Sequence, residues 1–428
     1  MTNATDDDPR TAERAPRALD PYAAPKADAA TESPAEGPSR AGSIPWVLST
    51  YFAEGLPYSL VHQVIAQQYF TDAGLAFSAL GLTALLHAPW NAKFLWAPLV
   101  DRVGNSKRWL VGAQLAIAAL LLVAAALSSQ SAIMPMAVLL VAMAFTAATN
   151  DIAIDTYYMR ALPAQRQASL TGLRVMAYRV ALVVGNGGLV MIAGFFGWPT
   201  ALVCGAILLA GCAISHATLL AADPPGEARG LPLIDTVLSF FKKPGIGLAL
   251  AFIATFKAGD ALMFAMNAPL LKDLGLGTAE RGFYYGTLGT SASVAGSILG
   301  GLIASRGLAR WLTPIAILQS LAILLYVVLA AYRPPLAVIA AIVIVEQLVA
   351  GIGSAAFVVF ILRLCDGPHK ATHFAFGTAL MSFAVTGAGS ASGFVLERVG
   401  FTWFFTLAFV ASIPGVLLAP LVARPRER

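Results

Sequence analysis

The chain reads as an all-α membrane protein: twelve transmembrane helices arranged as two six-helix, pseudo-symmetric halves. Three observations predict this. Of 428 residues, 58% are hydrophobic and only 12% charged, where an ordinary soluble domain carries roughly 25% charge. Apolar runs near 20 residues, each long enough to cross a hydrocarbon core of about 30 Å, recur with short polar breaks between them. The longest internal break, around residues 222–245, divides those runs six and six.

In chain order the runs cover 45–70, 76–99, 109–128, 132–159, 169–195, 198–221, 246–271, 282–304, 311–331, 336–362, 372–396 and 401–422. Residues 1–42 precede them, rich in Ala, Pro, Asp and Arg and without an apolar stretch that could form a signal-peptide core; they read as a disordered cytoplasmic tail. The expected organisation is therefore a tail at 1–42, a first bundle at 43–222, a cytoplasmic linker at 223–245, a second bundle at 246–423 and a short tail at 424–428. With the amino terminus placed inside, fifteen Lys and Arg fall on the cytoplasmic loops and carboxyl tail and four on the opposite loops, among them Lys272, Arg281 and Arg333. That asymmetry agrees with an even number of spans and both termini in the cytoplasm of a bacterial inner membrane protein. The net charge of +5 is spread over loops, so no nucleic-acid surface is implied. Cys204, Cys212 and Cys365 form neither a disulfide framework nor a metal cluster.

Nine charged side chains lie inside the apolar runs: Glu54, Lys93, Asp151, Asp155, Arg174, Arg179, Lys257, Asp260 and Glu346. An ionisable group in hydrocarbon costs several kcal/mol unless it faces a partner or a water-filled cavity. The nine sit on segments 1, 2, 4, 5, 7 and 10, and none on 3, 6, 9 or 12. At 1.5 Å per residue, Glu54, Asp151, Arg179 and Lys257 lie roughly 13–17 Å deep and Lys93, Asp155 and Arg174 roughly 8–9 Å. Such a ladder marks a polar path and implies solute transport. No G-x-x-x-x-G-K-[ST], H-E-x-x-H or G-x-S-x-G occurs, which leaves direct ATP drive and an intramembrane enzyme without support.

Asp151 and Asp155, four apart, share one helical face, and two like charges there need cations from elsewhere. Arg174 or Arg179 on the next segment can supply them, with Asp151 and Arg179 as one candidate pair; a closed salt-bridge network that only orients segments 4 and 5 is the alternative. Lys257 and Asp260, three apart, can neutralise each other. Glu54 has no base within four residues, and Gly55 and Pro57 weaken segment 1 beside it; a carboxylate held by Lys93 is the alternative to a proton carrier there. Glu54, Tyr58 and His62 continue at helical spacing as a polar stripe. Glu54, Asp151, Glu346 and His62 are accordingly the candidates for proton coupling. Tyr58, Gln63, Asn91, Lys93, Arg179, Lys257, Asp260 and Asn267 are the candidates for contacting solute.

The break after segment 2 reads "APLVDRVGNSKRW" and the one after segment 8 "GGLIASRGLARW", a weak repeat in matching places of the two halves. The stretch Asp101 to Arg108 resembles the loop between helices 2 and 3 of the major facilitator superfamily. "KFLWAPLVDR" (93–102), "NDIAIDTYYM" (150–159) and "YFAEGLPYSL" (51–60) are similar to stretches of the AmpG-type muropeptide permeases and acetyl-coenzyme A transporters within it, although enterobacterial AmpG permeases carry two further spans. The resemblance implies a major facilitator fold with helices 1, 4, 7 and 10 around a central cavity and 2, 5, 8 and 11 beside it. It implies a cytoplasmic latch at Asp101 and Arg102; Asp155 and Arg174, at the shallower level of the charge ladder, are the further gating candidates. The reading that follows is a monomeric, proton-coupled importer of a small polar or anionic solute such as a muropeptide or peptide, without cofactor or bound metal. Uptake of a siderophore and export of drugs are the alternatives.

Overall fold

In the computed structural model, residues 43–103, 105–130, 132–222, 240–243, 245–365 and 370–423 are described. The expected tails at 1–42 and 424–428 and most of the linker at 223–245 lie outside them, as do the side chains of Asp101 and Arg102, so the latch expected there does as well. Among the described residues the helices group into twelve spans: α1 (43–72), α2 (77–102), α3 (Ser106–Ser129), α4 (Ile133–Ala161), α5 (164–196), α6 (Trp198–Leu219), α7 (Ile246–Asp273), α8 (Thr278–Ser305), α9 (Leu308–Tyr332), α10 (Leu336–Arg363), α11 (370–399) and α12 (401–423). The last two run on from one another and bend at Gly400, whose φ of 74° belongs to the left-handed region that glycine enters without a Cβ clash.

Local chemistry explains where the spans depart from straight helices. Pro57 has no N–H to give the Ala53 carbonyl four residues earlier. The sequence reading expects α1 to weaken at this point, yet α-helix continues to Ser59, because the Asn150 side chain donates from Nδ2 to the Ala53 oxygen at 2.9 Å and takes over the missing bond. The helix then widens to a π-helix over Leu60–Tyr69. Pro269 likewise leaves Ala265 without its donor, and α7 departs from helical angles at Met266 (φ −114°, ψ 14°). A second irregular residue in α7 is Lys257 (φ −98°, ψ 1°). α2 is the most interrupted span, with 3-10 turns at Thr83–His87, just before Pro89, and at Lys93–Leu95.

The turn after α1 recurs after α7. Gly74 (φ 74°) and Gly275 (φ 94°) occupy equivalent places, and Leu75 N–H to Phe70 O (3.0 Å) matches Leu276 N–H to Leu271 O (3.0 Å). This pair of turns makes the two-fold relation of the halves visible at atomic level.

Call the end bearing Ser43 and Ala423 basal and the other distal. The largest apolar cluster draws on both halves, joining Leu80, Val190 and Tyr69 to Met263, Leu270 and Leu396. Two smaller clusters are each confined to one half: one around Val47, Tyr51, Leu110 and Tyr158, and one around Phe252, Leu312, Phe357 and Ala419. The halves thus share a core distally and keep separate cores basally. Distal contact is by glycine: Gly81 faces Gly393 and Ser390 of α11, and Gly187 and Gly286 bring the backbones of α5 and α8 together. A Cβ on Gly393 would overlap the Phe77 carbonyl. Gly393→Ala is therefore expected to pry α2 from α11, measurable as greater distal solvent exposure by hydrogen exchange, with helix content unchanged by circular dichroism.

Candidate functional site

One polar cluster lies within the first half, and a second lines a cavity between the halves. In the first half, α4 presents Asp151 and Asp155 on one face, and each meets a cation from a different helix. Lys93 of α2 pairs with Asp151, and Arg174 of α5 lies 3.2 Å from Asp155. Tyr51 donates its hydroxyl to Asp155 at 2.9 Å, and the Arg174 guanidinium lies over the Tyr51 ring at 4.5 Å. The candidate pairing of Asp151 with Arg179 is thus not the one made. Arg179 is half-buried and lies near Tyr58 and Tyr178, because a residue five positions from Arg174 points around the helix from it.

Glu54 lies in the field of all four of these ionic groups. Its Oε2 is buried and makes no hydrogen bond among the described residues. Lys93, the cation that could have held it, is taken by Asp151. Three acids against two bases leave one negative charge over, and it falls to Glu54. Behind it a buried chain of hydrogen bonds secures α1: Asn150 accepts from Gln114 (3.3 Å), and His216 bridges Gln114 (2.8 Å) and Ser49 (3.0 Å). The sequence reading missed this chain, since Gln114 and His216 sit in the apolar runs 109–128 and 198–221, which carry no charge.

The cavity, of about 410 Å³, takes Tyr58, His62, Gln63 and His87 from the first half and Lys257, Asp260, Tyr285, Gln347 and Ser354 from the second. Such a volume falls within the usual span of small-molecule sites, roughly 300–1,000 Å³. His62 stacks on His87 at 3.7 Å, and Trp90 lies 4.8 Å from His62. His87 Nδ1 meets the Ala84 carbonyl at 3.1 Å, so in the neutral ring Nδ1 carries the proton and Nε2 accepts from the Tyr58 hydroxyl at 3.3 Å. The result is an aromatic cluster in which the two imidazoles stack and the Tyr58 and Trp90 rings tilt against them. Opposite it, Lys257 bonds Asp260 at 2.8 Å and Ser354 at 2.9 Å, while Gln319 donates to the same Asp260 oxygen. Lys257 and Asp260 do neutralise each other, and they do so in the cavity wall.

Of the expected solute contacts, Tyr58, Gln63, Lys257 and Asp260 line this cavity, whereas Asn91, Lys93, Arg179 and Asn267 stand outside its lining. Asn91 is buried in α2, Lys93 belongs to the Glu54 cluster, and Asn267 is wholly buried beside Tyr285 and Tyr326. Of the proton-coupling candidates, His62 lines the cavity, while Glu54 and Asp151 lie in the first cluster and Glu346 is buried behind the second. Arg281 needs correction: placed by the sequence on an outer loop, it is 1% exposed and pairs with Asp72 of α1 across the distal end. Its partner is 209 positions away, and no local pattern could have announced it.

The Major Facilitator Superfamily model matches residues 46–388. The chain belongs to the major facilitator superfamily. Within that superfamily the transporter is of the AmpG permease type: it is 30% identical over 384 residues to the anhydromuropeptide permease of Escherichia coli (strain K12), covering 86% of this chain and 77% of the relative. It is 23% identical over 386 residues to putative transporter AmpG 4 of Rickettsia felis, covering 85% and 92%. Among solved structures, a bacterial homologue of the human lysosomal transporter Spinster in an inward-facing, occupied conformation superposes with a TM-score of 0.68 at 14% identity, covering 91% of this chain and 97% of that one. The nucleoside transporter NupG gives 0.64 at 14%, covering 89% and 98%. These structural likenesses confirm the facilitator fold, and the family and AmpG matches make the chain a multi-pass membrane protein that transports solute.

Proposed function

We propose that this transporter is a proton-coupled importer of the bacterial inner membrane that carries a small polar or anionic solute of muropeptide or peptide character by alternating access. Glu54 carries the reading: an acid left over after two ion pairs form around it, four positions along α1 from Tyr58 in the cavity wall. A buried carboxyl without a cation gains most from binding a proton. Proton arrival and departure at Glu54 change the net charge of the cluster and so bias the two arrangements of the halves. Asp151 and Asp155 hold Lys93 and Arg174 in place and keep α2, α4 and α5 in register with the carrier residue. His62 lies about two turns along α1 from Glu54 and lines the cavity, where it can pass a proton onward.

The solute site combines an aromatic wall of Tyr58, His62 and His87 with an ionic wall of Lys257, Asp260 and Ser354. A cargo with a ring and a carboxylate suits both walls, and the anhydromuropeptide named for the Escherichia coli relative is of that kind. With both termini in the cytoplasm, as proposed, the distal end is the periplasmic one, and the shared distal core beside separate basal cores supports an inward-open reading. Asp101 and Arg102 would then latch the basal end when it closes.

Reconstitution tests this directly. Full-length protein in liposomes should take up radiolabelled anhydromuropeptide when the outside is made acidic, and a protonophore should stop it. Uptake indifferent to the gradient would refute the coupling; binding without flux would refute transport. The pairing has its own test. Lys93→Ala leaves Asp151 without its cation and should lower stability by about 1–3 kcal/mol, read as thermal melting in detergent, while Arg179→Ala should leave melting near wild type. The exchange Lys93→Asp with Asp151→Lys should recover more than the sum of its single changes.

A further inference from the structure

Behind the second cluster, where α7, α8, α9 and α10 meet, lies a group of buried polar side chains that the transport reading does not use. Glu346 of α10 is 2% exposed, Asn267 of α7 and Tyr326 of α9 are 0% exposed, and Tyr285 of α8 is 7% exposed. Glu346 lies beside Tyr326, and Asn267 beside both Tyr326 and Tyr285. Neither amide atom of Asn267, nor the Tyr326 hydroxyl, nor Glu346 Oε2 makes a hydrogen bond among the described residues. Native interiors satisfy nearly all buried polar atoms, and a group of them left unsatisfied together marks a place for something else.

Charge decides what that is. The ionic groups around Glu346 are Asp260 and Lys257, both of α7, and those two are already paired at 2.8 Å. α8 and α9 contribute only the tyrosines Tyr285 and Tyr326. One negative charge is left over, and it asks for one positive charge. A proton would neutralise the Glu346 carboxylate and give it a single hydrogen bond to donate, to one of the neighbouring oxygens. A small hard metal ion accepts lone pairs from several oxygens at once and answers all three. A divalent ion would exceed the charge available. Gln347 and Tyr285 form part of the cavity wall, so the group lies one side chain behind the cavity and an ion can reach it from there.

We propose that Glu346 Oε2, Asn267 Oδ1 and the Tyr326 hydroxyl form a sodium site in the second half, with a proton as competitor at Glu346. The ion ties α7, α9 and α10 together beneath Lys257 and Asp260, and so firms the ionic wall that faces solute.

The test needs no cargo and no flux, so its outcome is independent of whether uptake is proton-driven. Thermal melting of the purified full chain in detergent is followed at pH 8 while NaCl replaces choline chloride at fixed ionic strength. Sodium should raise the melting temperature saturably, KCl should not, and the apparent sodium affinity should fall as the pH is lowered to 6. Glu346→Gln should abolish the response, and Asn267→Ala should weaken the apparent affinity about tenfold. If Glu346→Gln does not fold, Asn267→Ala and Tyr326→Phe carry the test. Equal responses to sodium and choline, a sodium response that survives in Glu346→Gln, or a response to pH alone would each overturn the site.

Discussion

Replacing Arg281 with Met is expected to open the distal end of the protein. Arg281 donates to Gln68 at 2.9 Å and to the Leu276 carbonyl at 3.0 Å, and pairs with Asp72. Asp72 also accepts from Thr278 at 2.6 Å and Trp198 at 3.1 Å, and Lys272 donates to the Thr71 carbonyl at 2.7 Å. Most of these bonds cross between the halves, so their loss falls on the distally closed arrangement and spares the folding of each half. Removing one member of a buried pair costs about 3–5 kcal/mol, mainly because the other charge is left without compensation. A bias of that size shifts a two-state equilibrium by about a hundredfold or more. Spin labels on the distal ends of the two halves should report the change as a longer distance population in Arg281→Met. Asp72→Asn combined with Arg281→Met, which removes both charges, should move back toward the wild-type distribution. An unchanged distribution in the single variant would show that the glycine contacts alone hold the distal end.

Glu54→Gln is expected to uncouple transport while leaving the protein folded. The change removes the one unmatched charge of the first cluster and keeps its shape, so Lys93–Asp151 and Arg174–Asp155 should persist. A pH difference of one unit is worth about 1.4 kcal/mol per proton, hence about a tenfold accumulation of solute for each proton carried. The variant should lose that factor and still exchange labelled for unlabelled solute across the membrane. Accumulation at the wild-type level and pH dependence would take the coupling role away from Glu54. Loss of exchange as well would mean that Glu54 holds the cavity together.

The two expectations differ in how they became visible. Glu54 could be singled out from sequence because isolation along a helix is a local property: no base lies within four residues of it, and the glycine and proline beside it are adjacent in the chain. The twelve spans and the six-plus-six division were readable for the same reason, since hydropathy is summed over one segment at a time. The placing of costly charges on segments 1, 2, 4, 5, 7 and 10 pointed to a polar interior because hydrocarbon penalises each of them wherever it sits.

Partnership was not readable in that way. Lys93 and Asp151 lie 58 positions apart, and which cation reaches Asp151 depends on how α2 and α5 are rotated against α4. Asn150 repairs the backbone at Pro57 from another helix, so the irregularity expected in α1 appears past Ser59 instead. Arg281, read as a loop charge, became a buried tie only when α8 met α1. Composition and periodicity along one chain determined that this protein spans a membrane as two bundles with charge inside. The tertiary structure decided which charges cancel and which one is left over, because a salt bridge forms only where packing brings two distant side chains within a few ångströms, and the energy of the pair depends on that separation and on the water it excludes.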